Sequence, residues 1–349
     1  MRAITVRPGT AGTARLEEVP DPVAEAGTLL IQMLALGICG TDREIVAGEY
    51  GWAPAGRDRL ILGHESLGRV AEAPAKSGFG TGDLVVGMVR LPDPVPCPSC
   101  AVGEWDMCRN GLYTEHGIKQ RDGFGVEWVR LTPERVVRVD ARLGDLGVLL
   151  EPTSVVAKAW EHTERIGRRA RWEPARLLVT GAGPIGLLAA LLGAQRGLEV
   201  HVLDRVTDGP KPALARALGA TYHGGSLQEL ELEVDVVMEC TGAASVVAGV
   251  IGRTRRNGIV CLAGVSSAGR KTPVDLGLLN RTMVLENDVV FGSVNANRRH
   301  YEAAVEALAA ADPSWLARLI TRRVPLDHWA EALTPGADDV KVVIDFAAQ

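Results

Sequence analysis

A glycine-rich segment near the middle of the chain constrains its fold more than any other feature. Gly181, Gly183 and Gly186 form a GxGxxG pattern between a predicted strand, Arg176–Thr180, and a helix predicted from about Ile185 to Arg196. The first glycine permits a tight turn, the second lets backbone N–H groups approach a pyrophosphate, and the third lets the helix pack close to the strand. In this context the pattern predicts a dinucleotide-binding unit rather than a glycine turn that binds nothing.

The same segment predicts which residues contact the cofactor. The N-terminus of a helix presents N–H donors and a partial positive charge to phosphates. The candidates at this turn are Gly181, Gly183, Pro184, Ile185 and Gly186. Asp204 ends the next predicted strand and could accept hydrogen bonds from the adenosine ribose, which favours NAD. Arg205 follows directly and could pair with a 2′-phosphate instead, so use of NADP stays open.

The chain divides into two regions with different patterns. Up to about residue 150, short β-rich runs separated by turns predict an antiparallel, barrel-like domain. The predicted strands are Ala3–Val6, Leu29–Leu36, Gly68–Ala73, Leu84–Val89 and Arg135–Val139. From about residue 156 strands and helices alternate, which predicts a doubly wound parallel sheet and an α/β fold class. A late helix, Arg298–Ala311, and a late strand, Val340–Phe346, are also predicted.

Composition and charge narrow the possible function classes. The formal net charge is −5 and aromatic residues make up only 4% of the chain, which argues against a nucleic-acid partner. No apolar run approaches the length of a membrane span, and the N-terminal segment does not resemble a signal peptide. The six cysteines suit thiols in a reducing compartment better than a disulfide framework. We therefore expect a cytoplasmic protein with no membrane partner.

Three separated residues supply a donor set for a metal ion. Cys39 lies in the segment GICGTD, His64 lies in GHESLG, and Glu151 directly precedes a proline. A thiolate, an imidazole and a carboxylate suit zinc with one coordination position left open. An open position allows a substrate oxygen to bind and be polarised. Each residue alone is typical of core filling or of a surface, but together with the dinucleotide pattern they predict a catalytic zinc site.

These motifs resemble those of the zinc-containing medium-chain alcohol dehydrogenase family. The resemblance is carried by GICGTD, LGHESLG, the GAGPIG fingerprint and their order along the chain. More narrowly, CGTDREIVAGEYG, the stretch EHGI at 115–118, LLEP and SVNANRRHYEAAVEAL resemble the glucose dehydrogenase (aldose 1-dehydrogenase) branch. The family combines a GroES-like catalytic domain with a Rossmann domain. The resemblance implies a catalytic domain at residues 1–155, completed by 297–349, and a Rossmann dinucleotide-binding domain at 156–296.

The resemblance also implies roles for individual residues at the metal. Cys39 and His64 would bind the catalytic zinc, and Glu65 would be a third ligand or a close partner of the ligands. Glu151 would lie at the metal and touch either the ion or the sugar. Thr41 would hydrogen-bond the reacting hydroxyl and help to move its proton.

For the substrate, the resemblance implies that Glu115 holds sugar hydroxyls and that Asn295 lies where substrate and nicotinamide meet. The expected reaction transfers a hydride from a sugar hydroxyl, at C1 of an aldose, to NAD(P) and gives a lactone. The branch often has another polar residue shortly after the Glu-Pro or Gln-Pro dipeptide, whereas this chain has Val155. A related aldose or a modified sugar is therefore as compatible as glucose.

A second cysteine group, Cys97, Cys100 and Cys108, resembles the family's structural-zinc lobe. That lobe uses four cysteines, and alignment places Pro94 at the position of the first. Structural zinc usually takes four closed ligands. Asp93 could supply an oxygen only if the loop shifted, so the alternatives are an occupied zinc site and a vestigial lobe with free thiols.

Two rival functions remain at this level. One is a polyol, secondary-alcohol or amino-alcohol dehydrogenase of the same family, and the other is a non-catalytic cofactor-binding protein. Presence of the complete metal donor set argues against the second. The resemblance also suggests a homodimer or homotetramer, with the segment Gly258–Val294 as the expected contact surface.

Overall fold

The computed structural model describes residues 1–266 and 272–346. Within these ranges the chain forms two compact units, which we call unit 1, Met1–Ser154 with Asn295–Gln349, and unit 2, Val155–Val294. The strands are β1 Arg2–Val6, β2 Arg15–Glu18, β3 Leu29–Ile38, β4 Leu60–Ile61, β5 Glu65–Glu72, β6 Leu84–Gly87, β7 Arg90–Leu91, β8 Thr114–His116, β9 Gln120–Arg121, β10 Trp128–Leu131, β11 Val136–Arg138, β12 Arg176–Thr180, β13 Glu199–Asp204, β14 Thr221–Gly224, β15 Val234–Glu239, β16 Thr254–Leu262, β17 Val289–Gly292, β18 Ile320–Pro325 and β19 Lys341–Asp345. The α-helices are α1 Gly40–Val46, α2 Pro98–Ala101, α3 Leu150–Gly167, α4 Pro184–Gln195, α5 Pro210–Ala217, α6 Ala244–Val250, α7 Leu276–Glu286, α8 Arg298–Ala309, α9 Pro313–Leu319 and α10 Trp329–Leu333.

Unit 1 is built on a mixed β-sheet with the strand order β11-β6-β5-β3-β19-β18, and β10 pairs with β3. The predicted antiparallel arrangement holds for β3 with its neighbours β5, β10 and β19, whereas β18 and β19 run parallel. Apolar side chains of β1, β3, β5 and β19 form its core, with Leu36, Leu62 and Phe124 fully buried. The late segment of the chain therefore completes the sheet on which the N-terminal strands are built.

Unit 2 contains a parallel sheet with the strand order β14-β13-β12-β15-β16-β17. This is the order of a Rossmann dinucleotide-binding sheet, and the predicted α/β fold class is confirmed. A core that includes Leu178, Leu203, Val237 and Val260 lies on one face of the sheet. Helix α4 is apolar on all sides and buries Gly186 to Gly193, which is typical of a helix enclosed by its neighbours.

Helix α3 begins one residue before Glu151 and carries Pro152 in its first turn. A proline is tolerated there because the first N–H groups of a helix have no partner within the helix. The boundary between the two units, at Ser154 and Val155, falls inside this helix. In the described residues no helix combines the length and the apolar character required of a membrane span.

Candidate functional site

Cys39, His64 and Glu65 come together at the end of strand β3. Cys39 directly follows β3, while Glu65 is the first residue of the neighbouring strand β5 and pairs in register with Gly37. The Sγ atom of Cys39 lies 3.1 Å from Nε2 of His64. One ligand atom from each of the three residues lies within 4.8 Å of the others. Two antiparallel strands thus bring together donors from two separate sequence motifs.

Glu65 is held in place by a close approach and by a buried cation. A Cβ atom on Gly37 would overlap the Glu65 carboxylate, so only glycine fits opposite it. The ammonium group of Lys341, on β19, forms an ion pair with Glu65, and both side chains are buried. Lys341 also donates to the backbone carbonyl of Ile38 at 3.2 Å. The negative charge of the Glu65 carboxylate, which is buried away from water, is therefore balanced by the charge of Lys341.

A second carboxylate orients the imidazole of His64. Oδ1 of Asp42 lies 3.4 Å from Nδ1 of His64, and Oδ2 accepts a hydrogen bond from the Cys39 N–H at 2.9 Å. Burial opposes protonation of His64, but the Cys39 thiol and the Asp42 carboxylate outweigh it and raise the pKa of the imidazole. Carboxylate-oriented histidines are typical metal ligands, because the carboxylate fixes which ring nitrogen faces the ion.

The donor chemistry of this cluster fits zinc. Burial raises the pKa of the Cys39 thiol, so the thiolate needs a nearby cation to form. A thiolate, an imidazole nitrogen and a carboxylate oxygen at these separations suit a borderline-soft ion with tetrahedral preference. The predicted zinc cofactor is supported by this donor set.

Glu151 and Thr41 lie near the cluster but are not among the three residues, Cys39, His64 and Glu65, whose ligand atoms lie within 4.8 Å of one another. Burial raises the pKa of Glu151 to about 7, and the charge of Glu65 adds to this shift. His64 acts in the opposite direction and lowers the pKa. Thr41 is half-buried at the second position of α1, two residues after Cys39. A carboxyl group with a pKa near neutrality can exchange a proton with solvent or substrate at physiological pH.

Glu115 and Asn295 are in direct contact. The Nδ2 amide of Asn295 donates to Oε1 of Glu115 at 2.8 Å, and both side chains are buried. Asn295 has a φ of 62°, in the left-handed region that asparagine tolerates better than most residues. Arg90 reaches the same oxygen, with its Nε atom 3.0 Å away. The two predicted sugar-binding residues therefore form one polar group within unit 1.

The second cysteine group is assembled around α2. Ligand atoms of Cys97, Cys100 and Cys108 lie within 4.8 Å of one another, and all three are free thiols. Hydrogen bonds from the backbone N–H groups of Arg109 and Cys100 lower the pKa of Cys97 to about 6. Burial raises the pKa of Cys100 to about 11.

Asp93 is not aimed at this cysteine group. Its Oδ1 accepts a hydrogen bond from the backbone N–H of Val95 at 2.9 Å, and its Oδ2 accepts one from Nδ2 of Asn110 at 2.8 Å. Both carboxylate oxygens thus stabilise the turn that contains Pro94. Three thiols are the ligand set that the described residues bring together in this lobe.

The glycine fingerprint joins β12 to α4 in unit 2. Gly181 has a φ of 92°, and a Cβ atom on Gly186 would overlap the Gly181 carbonyl oxygen. A Cβ atom on Gly183 would meet nothing within 4 Å, so the space beside the helix N-terminus is open. Pro184 and Ile185 form the first turn of α4. An open space at the N-terminus of a helix fits the pyrophosphate of a dinucleotide.

Asp204 lies at the end of β13, where it contacts the fingerprint turn. Its Oδ2 accepts a hydrogen bond from the Ala182 N–H at 2.7 Å, and its Oδ1 accepts one from the Val206 N–H at 3.0 Å. The ammonium of Lys211 lies 3.7 Å from Oδ2. Arg205 is exposed. The acidic side chain therefore supports the fingerprint turn through both of its oxygens.

Sequence reasoning missed three residues that shape the site. Asp42 lies inside the GICGTD motif, and its spacing from Cys39 was a signal that could have found it. Lys341 and Arg90 carry no local signal, because their partners Glu65 and Glu115 are brought to them by the tertiary fold.

Comparison with known proteins gives matches over the whole chain. Residues 25–141 match the model of the alcohol dehydrogenase GroES-like domain, and residues 144–346 match the glucose dehydrogenase C-terminus. The chain is 40% identical to glucose 1-dehydrogenase of Methanocella arvoryzae over 100% of both chains. It is 40% identical to the Thermoproteus tenax glucose 1-dehydrogenase over 99% of both. Its structure is similar to that of Haloferax mediterranei glucose dehydrogenase in complex with NADP, Zn and gluconolactone, with a TM-score of 0.92, 31% identity and 100% of both chains covered.

The GroES-like match and the parallel Rossmann sheet define the class as the zinc-dependent alcohol dehydrogenases, oxidoreductases that act on CH–OH groups. Within that class the chain belongs to the glucose dehydrogenase family. The family resemblance predicted from the motifs is confirmed.

Proposed function

We propose that this enzyme oxidises the C1 hydroxyl of an aldose, glucose or a close relative, to the lactone. The C1 hydrogen leaves as a hydride to the nicotinamide of NAD(P)⁺, and the hydroxyl proton is released. The observation that carries the proposal is the cluster of Cys39, His64 and Glu65, in which His64 and Glu65 are buried and Cys39 is half-buried. Support for the substrate class comes from the relatives named glucose 1-dehydrogenase and from the Haloferax structure with gluconolactone.

The residues proposed to hold the catalytic zinc are Cys39 and His64, with Glu65 or Glu151 supplying carboxylate oxygen. A bound zinc ion supplies positive charge that lowers the pKa of a coordinated hydroxyl. Asp42 keeps His64 oriented through Nδ1, which leaves Nε2 on the Cys39 side. When no metal ion is bound, the ammonium group of Lys341 compensates the negative charge of Glu65.

Thr41 and Glu151 are proposed to handle the substrate proton. The Thr41 hydroxyl can accept a hydrogen bond from the substrate and donate one onward. Glu151, with a pKa of about 7, can take up a proton near neutral pH. Glu115 and Asn295 are proposed to bind sugar hydroxyls, with Asn295 also close to the nicotinamide.

The dinucleotide is proposed to bind at the fingerprint turn of unit 2. The N-terminus of α4 would receive the pyrophosphate beside Gly183, where space is open. Asp204 would accept hydrogen bonds from the adenosine ribose and favour NAD over NADP. Arg205 would provide a partner for a 2′-phosphate when NADP binds. The Haloferax neighbour forms a complex with NADP, which supports NADP as a second cofactor of this chain.

The cysteine lobe is proposed as a second zinc site with three thiolates, Cys97, Cys100 and Cys108. This set is one short of the four closed ligands of most structural sites, so the affinity should be lower than that of the catalytic site. Metal analysis tests this: two zinc ions per chain are expected at excess zinc, falling to one in a Cys97→Ser, Cys100→Ser variant. An unchanged stoichiometry in that variant would exclude zinc from the lobe.

A second copy of the chain is proposed to cover one surface of unit 2. Helix α7 contains no buried residue, and its apolar side chains Leu276, Leu278, Val284 and Leu285 are all at least 59% exposed. Strand β17, which follows α7 in the chain, is the edge strand of the parallel sheet. An edge strand next to an exposed apolar helix is typical of a subunit interface. Leu278→Glu with Val284→Glu should shift sedimentation to a smaller species, and an unchanged assembly would exclude this surface.

The activity itself is tested with a substrate panel. Aldoses, polyols and secondary alcohols are offered with NAD⁺ and with NADP⁺, and formation of reduced cofactor and lactone is followed. We expect aldoses to give the highest kcat/KM, with lactone as product. Oxidation of polyols or secondary alcohols in preference to every aldose would overturn the proposal.

A further inference from the structure

Five buried polar residues of unit 1 form a closed ring, which we call the Arg90 ring: Arg90, Asp106, Glu115, Asn295 and Asn297. The guanidinium of Arg90 donates to Oε1 of Glu115 from Nε at 3.0 Å, and its Nη2 lies 2.9 Å from the same oxygen. Its Nη1 donates to the backbone carbonyl of Asp106 at 3.0 Å. Arg90 therefore joins Glu115 to the chain segment between Cys100 and Cys108.

The other half of the ring is formed by Asn295 and Asn297, which follow unit 2 in the chain. Nδ2 of Asn297 donates to Oδ1 of Asp106 at 2.6 Å, and Nδ2 of Asn295 donates to Oε1 of Glu115 at 2.8 Å. Asn295 and Asn297 are separated by one residue. Three segments that are distant in sequence are thus tied together at a single carboxylate.

The hydrogen bonds of the ring are unevenly shared by the two oxygens of Glu115. Both Arg90 and Asn295 reach Oε1, and Oε2 receives no donor from the ring. A carboxylate oxygen accepts more than one hydrogen bond, so Oε1 can anchor the group while Oε2 accepts from a ligand hydroxyl. The hydrogen bonds to Oε1 thus fix the direction of Oε2 and leave Oε2 able to accept a hydrogen bond from a ligand.

Arg90 is itself rigidly held. Its guanidinium lies over the ring of Tyr113 at 3.7 Å from the ring centroid, and its side chain is only 6% exposed. A planar guanidinium presents several N–H donors in a fixed fork, which a lysine ammonium cannot reproduce. The geometry of Glu115 therefore depends on the orientation of Arg90 as well as on its charge.

We propose that Arg90 is a positioning residue for substrate recognition. It anchors Oε1 of Glu115 so that Oε2 meets one particular sugar hydroxyl, and its bond to the Asp106 carbonyl ties that geometry to the cysteine lobe. This inference rests on the proposed aldose oxidation. A residue that only neutralised a buried charge would stabilise the fold but would not affect the discrimination between sugars that differ by a single hydroxyl.

The test compares wild type, Arg90→Lys, Arg90→Met and a matched control, Arg59→Met. Arg59 is also mostly buried and paired with a glutamate, Glu17, but its side chain contacts strands β1 and β2 and not the Arg90 ring. For each protein, kcat and KM are measured with glucose and with the monodeoxyglucoses that keep the C1 hydroxyl and lack one other hydroxyl, and NAD affinity is measured by fluorescence. Loss of a hydrogen bond to a charged group costs about tenfold to a hundredfold in affinity.

We expect wild type to have a higher KM for one monodeoxyglucose than for glucose, by about tenfold. Arg90→Met should raise the KM for glucose to the level of that analogue, remove the discrimination, and leave NAD affinity unchanged. Arg90→Lys keeps the buried charge paired, so it should fold and still lose most of the discrimination. Arg59→Met should behave as wild type in KM.

Survival of the hydroxyl discrimination in Arg90→Met or Arg90→Lys would overturn this inference alone. A uniform fall in kcat with unchanged KM would do the same, because it would indicate a structural role. If Arg90→Met fails to fold, Arg90→Lys decides the question. A wild-type protein that oxidises no aldose would overturn the proposed function together with this inference.

Discussion

The side-chain amide of Asn295 donates a hydrogen bond to Glu115 at 2.8 Å, although 180 residues separate them in the chain. Asn295 is the first residue of unit 1 after the chain leaves unit 2. The two residues proposed to bind the substrate therefore come from sequence segments on either side of unit 2, Glu115 before it and Asn295 after it.

Two substitutions of Asn295 distinguish the role of its side-chain amide from the role of its backbone conformation. Asn295→Gly keeps the left-handed φ of 62° and removes the amide, so we expect a folded enzyme whose KM for the aldose rises about tenfold. Asn295→Ala should have the same KM defect and also be less stable than the glycine variant by about 1 kcal/mol, because alanine is strained at this φ. Urea unfolding and steady-state kinetics measure the two effects, and an unchanged KM in both variants would remove Asn295 from the substrate site.

Asp42 should control metal affinity through His64. Its Oδ1 lies 3.4 Å from Nδ1 of His64, and loss of such an orienting carboxylate lowers metal affinity by about 10- to 100-fold. We expect Asp42→Asn to release zinc to a chelator at correspondingly lower chelator concentration. Asp140, a partly buried carboxylate paired with Arg142, provides the control: Asp140→Asn should retain zinc as wild type does. Equal zinc affinity in both variants would mean that Asp42 has no role at the metal.

Asp204 should set the cofactor preference. Asp204→Ser removes a charge that repels a 2′-phosphate and a group proposed to hold the ribose. We expect the ratio of kcat/KM for NADP⁺ to that for NAD⁺ to rise about 10- to 100-fold. Since Asp204 also accepts hydrogen bonds from Ala182 and Val206, Asp204→Asn is the matched variant that keeps an acceptor at the turn. A preference unchanged in both variants would contradict the assignment.

His116 should make stability depend on pH. Burial lowers its pKa from 6.5 to about 3, and its Nδ1 contacts the Asp122 carbonyl oxygen at 2.6 Å. Below pH 6.5 the unfolded chain binds a proton that the folded chain excludes, so this contribution is complete above pH 6.5 and is lost as pH falls towards 3. The free energy of unfolding should fall by up to about 1.4 kcal/mol per pH unit from this group.

Urea unfolding of His116→Gln between pH 7 and pH 5 checks the effect. The variant should show a shallower loss of stability on acidification than wild type, while the exposed control His328→Gln should not. Parallel curves for wild type and His116→Gln would show that His116 does not titrate differently in the two states.

Much of the fold could be predicted because the chain's local patterns agree with its tertiary structure. The glycine fingerprint predicts β12 and α4 with bounds that differ from the observed ones by one residue at most, and β13 ends at Asp204 as predicted. Helix α3 is not predicted, because it spans the change from the β-rich pattern to the alternating pattern and its Glu-Pro start does not by itself indicate a helix. Helix α7 was missed because its exposed apolar residues lack the one-sided pattern of a helix packed on a core.

The candidate site could be predicted only where its residues lie in motifs. The glycines near Cys39 and His64 are required by the turn and by the close approach to Glu65. Both residues therefore lie in motifs that can be recognised along the sequence. Lys341 and Arg90 act through partners brought to them by sheet pairing, and no spacing along the chain indicates that.

The dependence of aldose oxidation on zinc bound at Cys39 is the central claim. Metal-free protein is titrated with zinc, and the initial rate of NADH formation from glucose is followed for wild type and for Cys39→Ala, with NAD affinity as control for folding. We expect wild-type activity to return in proportion to the first zinc bound. Cys39→Ala should stay at least about a thousandfold lower in rate while binding NAD normally. Full activity in the metal-free protein, or in Cys39→Ala without zinc, would contradict the account.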